Sequence, residues 1–210
     1  MLADARAAGA ERFVLGGDYA AFGAFPSETL ARLRELAAVW IRGNTERWLA
    51  APDEAPEDLL SSLRFCAGEV GPTLVEELAA LPQSTAVEGV RVCHASPRSD
   101  METFMPEPSA DDDRLVEERD EDVIVFGHSH LQFRRTSGSH ALVNPGSVGM
   151  PLDGDRRAAY ALWSGGDAFE LRRVEYDWAA YATELRERLG VTLGDAVETL
   201  VHRIEQASFS

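Results

Sequence analysis

The run Val123-Ile124-Val125-Phe126-Gly127-His128-Ser129-His130 places two imidazoles, spaced i and i+2, directly after four large apolar residues. A neutral imidazole is a metal ligand and a proton carrier near pH 7. On an extended backbone residues two apart point the same way, so the spacing predicts that His128 and His130 face one site. Three further apolar runs end in a residue of ligand type. Phe13-Val14-Leu15-Gly16-Gly17 ends in Asp18, Val39-Trp40-Ile41-Arg42-Gly43 in Asn44, and Val90-Arg91-Val92-Cys93 in His94. One carboxylate, one amide oxygen and three imidazoles form a mixed oxygen and nitrogen donor set. Such a set suits manganese, iron or zinc, and it lacks the thiolates of a structural zinc site.

Apolar runs of this length suit strands covered on both faces, as in an α/β sheet. Ligands in such sheets gather beyond the carboxyl ends of the strands, where Asp18, Asn44, His94, His128 and His130 all fall. Helices are predicted over 2–8, over 27–37 with Ser27 as N-cap, over 57–65, and over 72–81 with Pro72 in first position. A short turn is expected after Asn44, at Trp48 and Leu49. Glu88-Gly89 predicts a tight hairpin turn between strands 84–87 and 90–94. The loop 95–109 directly follows His94 and is placed to wall the site. A helix with acids in its first turn is predicted over 111–120. Two later hairpins, 132–143 and 160–175, and two closing helices, 177–189 and 193–207, complete a single domain of 210 residues.

The ordered set Gly17-Asp18, Gly43-Asn44-Thr45-Glu46, His94 and Gly127-His128-Ser129-His130 resembles the motif series of the calcineurin-like metallophosphoesterases. The segment Val143-Asn144-Pro145-Gly146-Ser147-Val148-Gly149 is similar to the one that follows in their small bacterial and archaeal phosphodiesterase branch. Two departures stand out: the chain contains no Asp-x-His, and Thr45 occupies the place where many members carry a histidine.

The resemblance implies a four-layer α/β/β/α sandwich of two mixed β-sheets flanked by helices. It also implies two divalent metal ions, manganese first, with iron, zinc, nickel, cobalt or magnesium as alternatives. The reaction implied is hydrolysis of a small phosphate ester by a metal-bridging hydroxide. Asp18 takes the bridging place, where a carboxylate is needed to neutralise two cations ~3.5–4 Å apart. Asn44, His94 and His128 complete one ion's set and His130 belongs to the other, with Asp18, Asn44 and His128 central to catalysis. The family's first strand, with its Asp-x-His, has no counterpart here. The expectation is therefore a chain missing about twenty residues of strand, loop and helix start. A threonine hydroxyl donates a hydrogen bond but is no acid near neutral pH, which points to phosphodiesters or activated esters with good leaving groups. The alternative implied by the absent ligands is a catalytically impaired protein-interaction module, a use to which one retromer subunit puts the same fold.

A formal charge of −16 repels nucleic acid and anionic lipid at long range, so non-specific nucleic-acid binding is not expected. It does not oppose phosphate substrates, because divalent cations dominate the field of a metal site. The amino-terminal residues carry charges where a secretory signal needs an apolar run, and no stretch has the length of a membrane span. A cytoplasmic location without membrane attachment is expected. Cys66 and Cys93 form no metal-binding pair and read as small buried side chains. Arg42, Arg47 and Arg98 lie near the motifs, with solvated or carboxylate-paired side chains preferred to phosphate binding; His140 is expected as a half-exposed strand residue and His202 on a helix surface.

Overall fold

The computed structural model describes residues 1–116 and 120–209. The amino-terminal half comprises α1 (Leu2–Ala7), β1 (Phe13–Leu15), α2 (Pro26–Arg34), β2 (Ala38–Trp40), α3 (Asn44–Ala50), α4 (Leu60–Val70) and α5 (Pro72–Ala79). There follow β3 (Ser84–Val87), β4 (Val90–Cys93), α6 (Asp112–Val116), β5 (Val123–Val125), β6 (Gln132–Ser137) and β7 (His140–Pro145). The hairpin β8 (Ala158–Trp163) and β9 (Phe169–Val174) precedes the closing helices α7 (Trp178–Leu193) and α8 (Val197–Gln206).

Strand alternation decides which residues enter which layer. The main sheet is mixed, in the order β3-β4-β5-β7-β6, with β4, β5 and β7 parallel and a hairpin at each edge. Val87, Val90, Val92, Val123 and Val143 line its inner face, joined by Val39 of β2, Ile41 just after it, and Trp163, Phe169 and Leu171 of β8 and β9. The opposite face carries Cys93, Ile124 and Leu142 under Phe104, Phe126, Leu115 and Val116. The second sheet layer was expected as one mixed sheet. It consists instead of two separate pairs, β1–β2 parallel and β8–β9 antiparallel. Outside β1–β2 lies a helical layer in which Leu30, Trp48, Leu49, Leu63, Cys66, Val75 and Leu78 cluster. Full burial of side chains such as Ile41, Ile124, Leu142 and Val143 stabilises the fold by roughly 1.5–3 kcal/mol each and anchors the strand ends that carry the site.

Local chemistry corrects several boundaries. Pro26 opens α2, because its fixed φ suits the first helical position, so Ser27 lies inside the first turn and is not the cap. The Ser27 hydroxyl donates instead to the Glu69 carbonyl at 2.6 Å. The expected turn at Trp48 is a full helix that begins at Asn44 itself, and the strand before Gly127 ends at Val125. Of the helix expected over 111–120, Asp112–Val116 is helical and residues 117–119 lie outside the described residues. No helix among the described residues is long and apolar enough to cross a membrane.

Candidate metal centre

The amino-terminal half of the site is built from two strand ends that touch through glycines. A Cβ on Gly17, whose φ is +94°, would stand 2.5 Å from the Gly43 nitrogen, and one on Gly43 would stand 2.3 Å from Asp18 Oδ1. Only glycine allows that approach. Asp18 is itself left-handed, with φ +59°, a conformation that costs a non-glycine residue ~1–3 kcal/mol and persists only where its surroundings impose it. Here the surroundings are Glu46, which is fully buried. Its carboxylate accepts the backbone N–H groups of Asp18, Tyr19 and Gly43, each at 2.8 Å, and so ties the end of β1 to the start of α3.

Asp18 Oδ1 accepts both the Thr45 amide, at 3.1 Å, and the Thr45 hydroxyl, at 2.8 Å. The Thr45 hydroxyl therefore fixes the Asp18 carboxylate, and at 1% exposure the residue does not face a substrate.

The second half hangs from the main sheet. His94 follows β4, and its Nδ1–H donates to the Gly16 carbonyl at 2.7 Å. Its Nε2 lies 2.9 Å from Asn44 Oδ1, 3.2 Å from His128 Nδ1 and 3.4 Å from Asp18 Oδ2. His128 Nδ1 is also 3.0 Å from Asn44 Oδ1. The expected extended Gly-His-Ser-His does not form. His128 and His130 both have φ +59°, and Ser129 N–H donates back to the Gly127 carbonyl at 2.7 Å in a tight three-residue turn. Buried Asn144 at the end of β7 clamps that turn. Its amide donates to Gly127 O at 2.9 Å and to Ser129 Oγ at 3.0 Å, and its carbonyl accepts Gly146 N–H at 2.9 Å. The two imidazoles consequently find different partners, and His130 Nδ1–H donates to the Met150 carbonyl at 2.7 Å.

Asp18, His94 and His128 bring ligand atoms within 4.8 Å of one another, and the Asn44 oxygen lies between the two imidazoles. His130 stands beside this group, near enough for its charge to act on Asp18. Burial works against the Asp18 charge, but the His94 imidazole beside it prevails and holds the carboxyl well below the usual range. Burial likewise works against a charged His94, yet the Asp18 charge, its hydrogen bond and the Gly16 carbonyl push that imidazole up to about 9. Burial and then the positive His94 lower His128 to about 4, leaving it neutral with a lone pair at pH 7. His130 is lowered chiefly by burial, with Asp18 and the Met150 carbonyl opposing and the His94 and Arg203 charges assisting. Glu46 is raised by burial and by the Asp18 charge, against the pull of its three N–H donors.

With Nδ1–H engaged by Gly16, the Nε2 of a neutral His94 turns its lone pair on the Asn44 oxygen, itself an acceptor, at 2.9 Å. Two lone pairs at that separation require a proton or a cation between them. A divalent ion held by Asp18, Asn44, His94 and His128 meets that need, and an oxygen and nitrogen donor set fits manganese, iron or zinc.

Of the two expectations for Arg42 and Arg47, solvation or carboxylate pairing, the structure shows the second. Arg47 grips Asp100 with Nε at 2.7 Å and Nη2 at 3.0 Å, and Arg42 adds Nη1 at 3.1 Å. Asp100 lies in the loop after His94, so these ion pairs latch the loop to the segment around Asn44. Sequence reasoning gave Glu46 and Asn144 no role. A glutamate at the third helical position, bonding back to the amide of the N-cap Gly43, is the glutamate half of a capping box, and it was the signal the sequence offered for Glu46. Asn144 left no such signal outside its motif.

Residues 1–165 match the family model of the calcineurin-like phosphoesterase superfamily domain. The chain belongs to that superfamily. The fold agrees with that membership. A metallophosphoesterase from Sphaerobacter thermophilus superposes with a TM-score of 0.75 at 22% identity, over 91% of this chain and 86% of the other. A hypothetical protein from Pyrococcus horikoshii gives 0.79 at 18% identity, over 95% and 88%. An uncharacterized protein of Methanocaldococcus jannaschii is 35% identical across 35% of this chain, a match that spans 37% of that relative's length.

Proposed function

We propose that this superfamily member hydrolyses phosphate esters with divalent metal ions, one held by Asp18, Asn44, His94 and His128 and a second shared between Asp18 and His130. Manganese is the first choice for both. The observation that carries this reading is the convergence of His94 Nε2, His128 Nδ1 and the Asp18 carboxylate on the Asn44 oxygen, four ligand-type atoms that one divalent cation can satisfy together in place of the His94 proton. When bound, the ions supply the Lewis acidity that phosphoryl transfer requires.

The chain's own residues do the rest. Asp18 stays anionic through neutral pH and is held in one orientation by Thr45 and by the Glu46 scaffold. His128 stays neutral and keeps its lone pair available. Thr45, engaged by Asp18, gives no proton to a departing group, which favours esters whose leaving group needs none, namely phosphodiesters or activated phosphate esters.

Elemental analysis after manganese loading, together with hydrolysis of bis(p-nitrophenyl) phosphate, tests the reading. Wild-type protein and His140→Ala should retain manganese and turn over the diester, while Asp18→Ala should lose both. A wild-type chain that holds no metal, or equal loss in the two variants, overturns it.

A further inference from the structure

His130 owes its ring orientation to a backbone atom. Its Nδ1–H donates to the Met150 carbonyl at 2.7 Å, which leaves Nε2 with the lone pair. The acceptor belongs to the main chain, so it stays in place only if the loop over 150–155 is held. Backbone bonding closes that loop on the site once, where Leu152 N–H donates to the His130 carbonyl at 3.2 Å.

Asp153 closes it a second time. Its Oδ2 accepts the Gln132 N–H at 2.9 Å, two residues beyond His130. Arg173 of β9 grips the same carboxylate through both terminal nitrogens, with Nη1 3.1 Å from Oδ1 and Nη2 against Oδ2. Its Nε meets Gln132 Oε1 at 3.0 Å, and Nη1 also reaches the Asp155 carbonyl at 2.9 Å. The Gln132 amide is fixed in turn among the carbonyls of Pro145, Tyr160 and Arg172, at 3.1, 3.2 and 3.0 Å. This knot ties together the strand that leaves His130, the hairpin β8–β9 and the loop that carries Met150. Arg173 and Asp153 are each only 15% exposed in their side chains, and a bidentate charged pair so sheltered is strong and fixed in geometry. β9 lies beyond residue 165, where the family match ends.

We propose that Asp153 and Arg173 are positioning residues for the second ion: by holding the Met150 carbonyl on Nδ1, they keep His130 in the tautomer whose Nε2 can accept a cation. The hydrogen-bond partners of metal-binding imidazoles change metal affinity by roughly tenfold to a hundredfold when they are lost. The inference rests on the hydrolase reading for its purpose, whereas the tautomer is a property of metal-free protein.

The test compares Asp153→Ala, Arg173→Lys and Arg91→Gln with wild-type protein. Arg91 pairs with Glu121 at similar shelter, 17% and 15% exposed, near the starts of β4 and β5, whereas the site lies beyond the ends of those strands. Its variant therefore loses a comparable ion pair away from His130. Imidazole nitrogen–proton correlation spectra of chelated, nitrogen-labelled protein read the tautomer, and isothermal titration with manganese reads each ion's affinity. Wild type should show His130 protonated on Nδ1 alone. Asp153→Ala should show a mixture of tautomers and bind the second manganese about tenfold more weakly, with the first unchanged. Excess manganese should then restore its turnover of bis(p-nitrophenyl) phosphate, because the defect is one of occupancy. Arg173→Lys keeps the charge but not the fork, so it should show the same changes to a smaller extent, and it decides the matter if Asp153→Ala does not fold. Arg91→Gln should melt below wild type and keep both the tautomer and the two affinities. A single Nδ1–H tautomer with unchanged second affinity in the Asp153 and Arg173 variants overturns the inference, as does an equal mixture in Arg91→Gln. A wild-type chain that binds no manganese instead removes the hydrolase reading, while the spectra of chelated protein still decide the positioning, so the two failures are distinguishable.

Discussion

The two halves of the candidate centre rest on unequal supports. His94 and His128 extend from β4 and β5, each paired on both sides within the five-stranded sheet, with Val92 at 4% exposure and Ile124 at 0%. Asp18 extends from β1, a strand of three residues whose one partner among the described residues is β2. Val14 of β1 pairs in register with Val39, which enters the core between the sheets, yet Val14 itself is 40% exposed. The thick sheet holds its ligands by strand pairing and buried apolar mass. The thin pair cannot, and it holds Asp18 by polar bonds: the Glu46 carboxylate on three amides and Thr45 on the Asp18 oxygen. A ligand on a weak sheet is made rigid by side-chain to backbone bonding.

The largest expected effect follows from that difference. Glu46→Ala leaves three N–H groups without their acceptor, each loss costing ~1–3 kcal/mol if the group stays buried, against a total stability of ~5–15 kcal/mol. We expect the variant to lose manganese binding and at least ~3 kcal/mol by urea unfolding. Asn144→Ala on the thick-sheet side strands the Gly146 amide and removes one of the two donors to the Gly127 carbonyl, which keeps Ser129 N–H, and should cost about 1–3 kcal/mol while leaving the main sheet intact. A greater cost for Asn144→Ala than for Glu46→Ala would reverse the comparison.

His94 and Asp18 meet across the two halves, and their contact sets a pH dependence. In chelated protein the His94 imidazole is raised from 6.5 to about 9 by Asp18. A group whose pKa is raised on folding stabilises fully below its unfolded value, and that contribution fades as pH rises through the folded value. Chelated protein should therefore carry the whole His94–Asp18 contribution below pH 6.5 and lose it progressively towards pH 9. An ion that takes Nε2 must displace this proton. Manganese uptake at about pH 7.5 should release roughly one proton per chain, read by isothermal titration in buffers of differing ionisation enthalpy. Release of none would mean that His94 is neutral before the metal arrives and that the two halves do not communicate through this pair.

How much of this was legible beforehand depends on whether a feature lay within one segment. The strands that lead to Asp18, Asn44, His94 and Gly127 followed from apolar runs, and the hairpin at Glu88-Gly89 from its turn residues. The gathering of Asp18, Asn44, His94 and His128 followed from where strands end in α/β sheets. The left-handed turn at His128 and His130 did not, because it depends on Asn144, a residue 16 positions from His128 whose role exists only after β7 pairs with β5. Thr45 was read only as a hydrogen-bond donor in the place of a histidine, since nothing in a sequence says that the hydroxyl will be claimed by Asp18. The split second sheet layer was equally hidden, being a matter of which edges meet.

The smallest expected effect is the most direct measure of the inequality between the sheets. Val14 and Val92 are both strand valines, at 40% and 4% exposure. Valine to threonine keeps the shape and replaces a methyl with a hydroxyl. At Val92 that hydroxyl enters an apolar layer of Val87, Val90, Val123 and Val143, where an unsatisfied hydroxyl costs ~1–3 kcal/mol. At Val14 solvent satisfies it, and a surface substitution of this kind stays within about 0.5 kcal/mol. Urea unfolding of the two variants, with equal dependence on denaturant, gives both values on one scale. Equal costs would mean that Val14 is covered in solution and that β1 is packed as firmly as β4. Glu46 would then be reinforcing a strand that already holds Asp18 by burial.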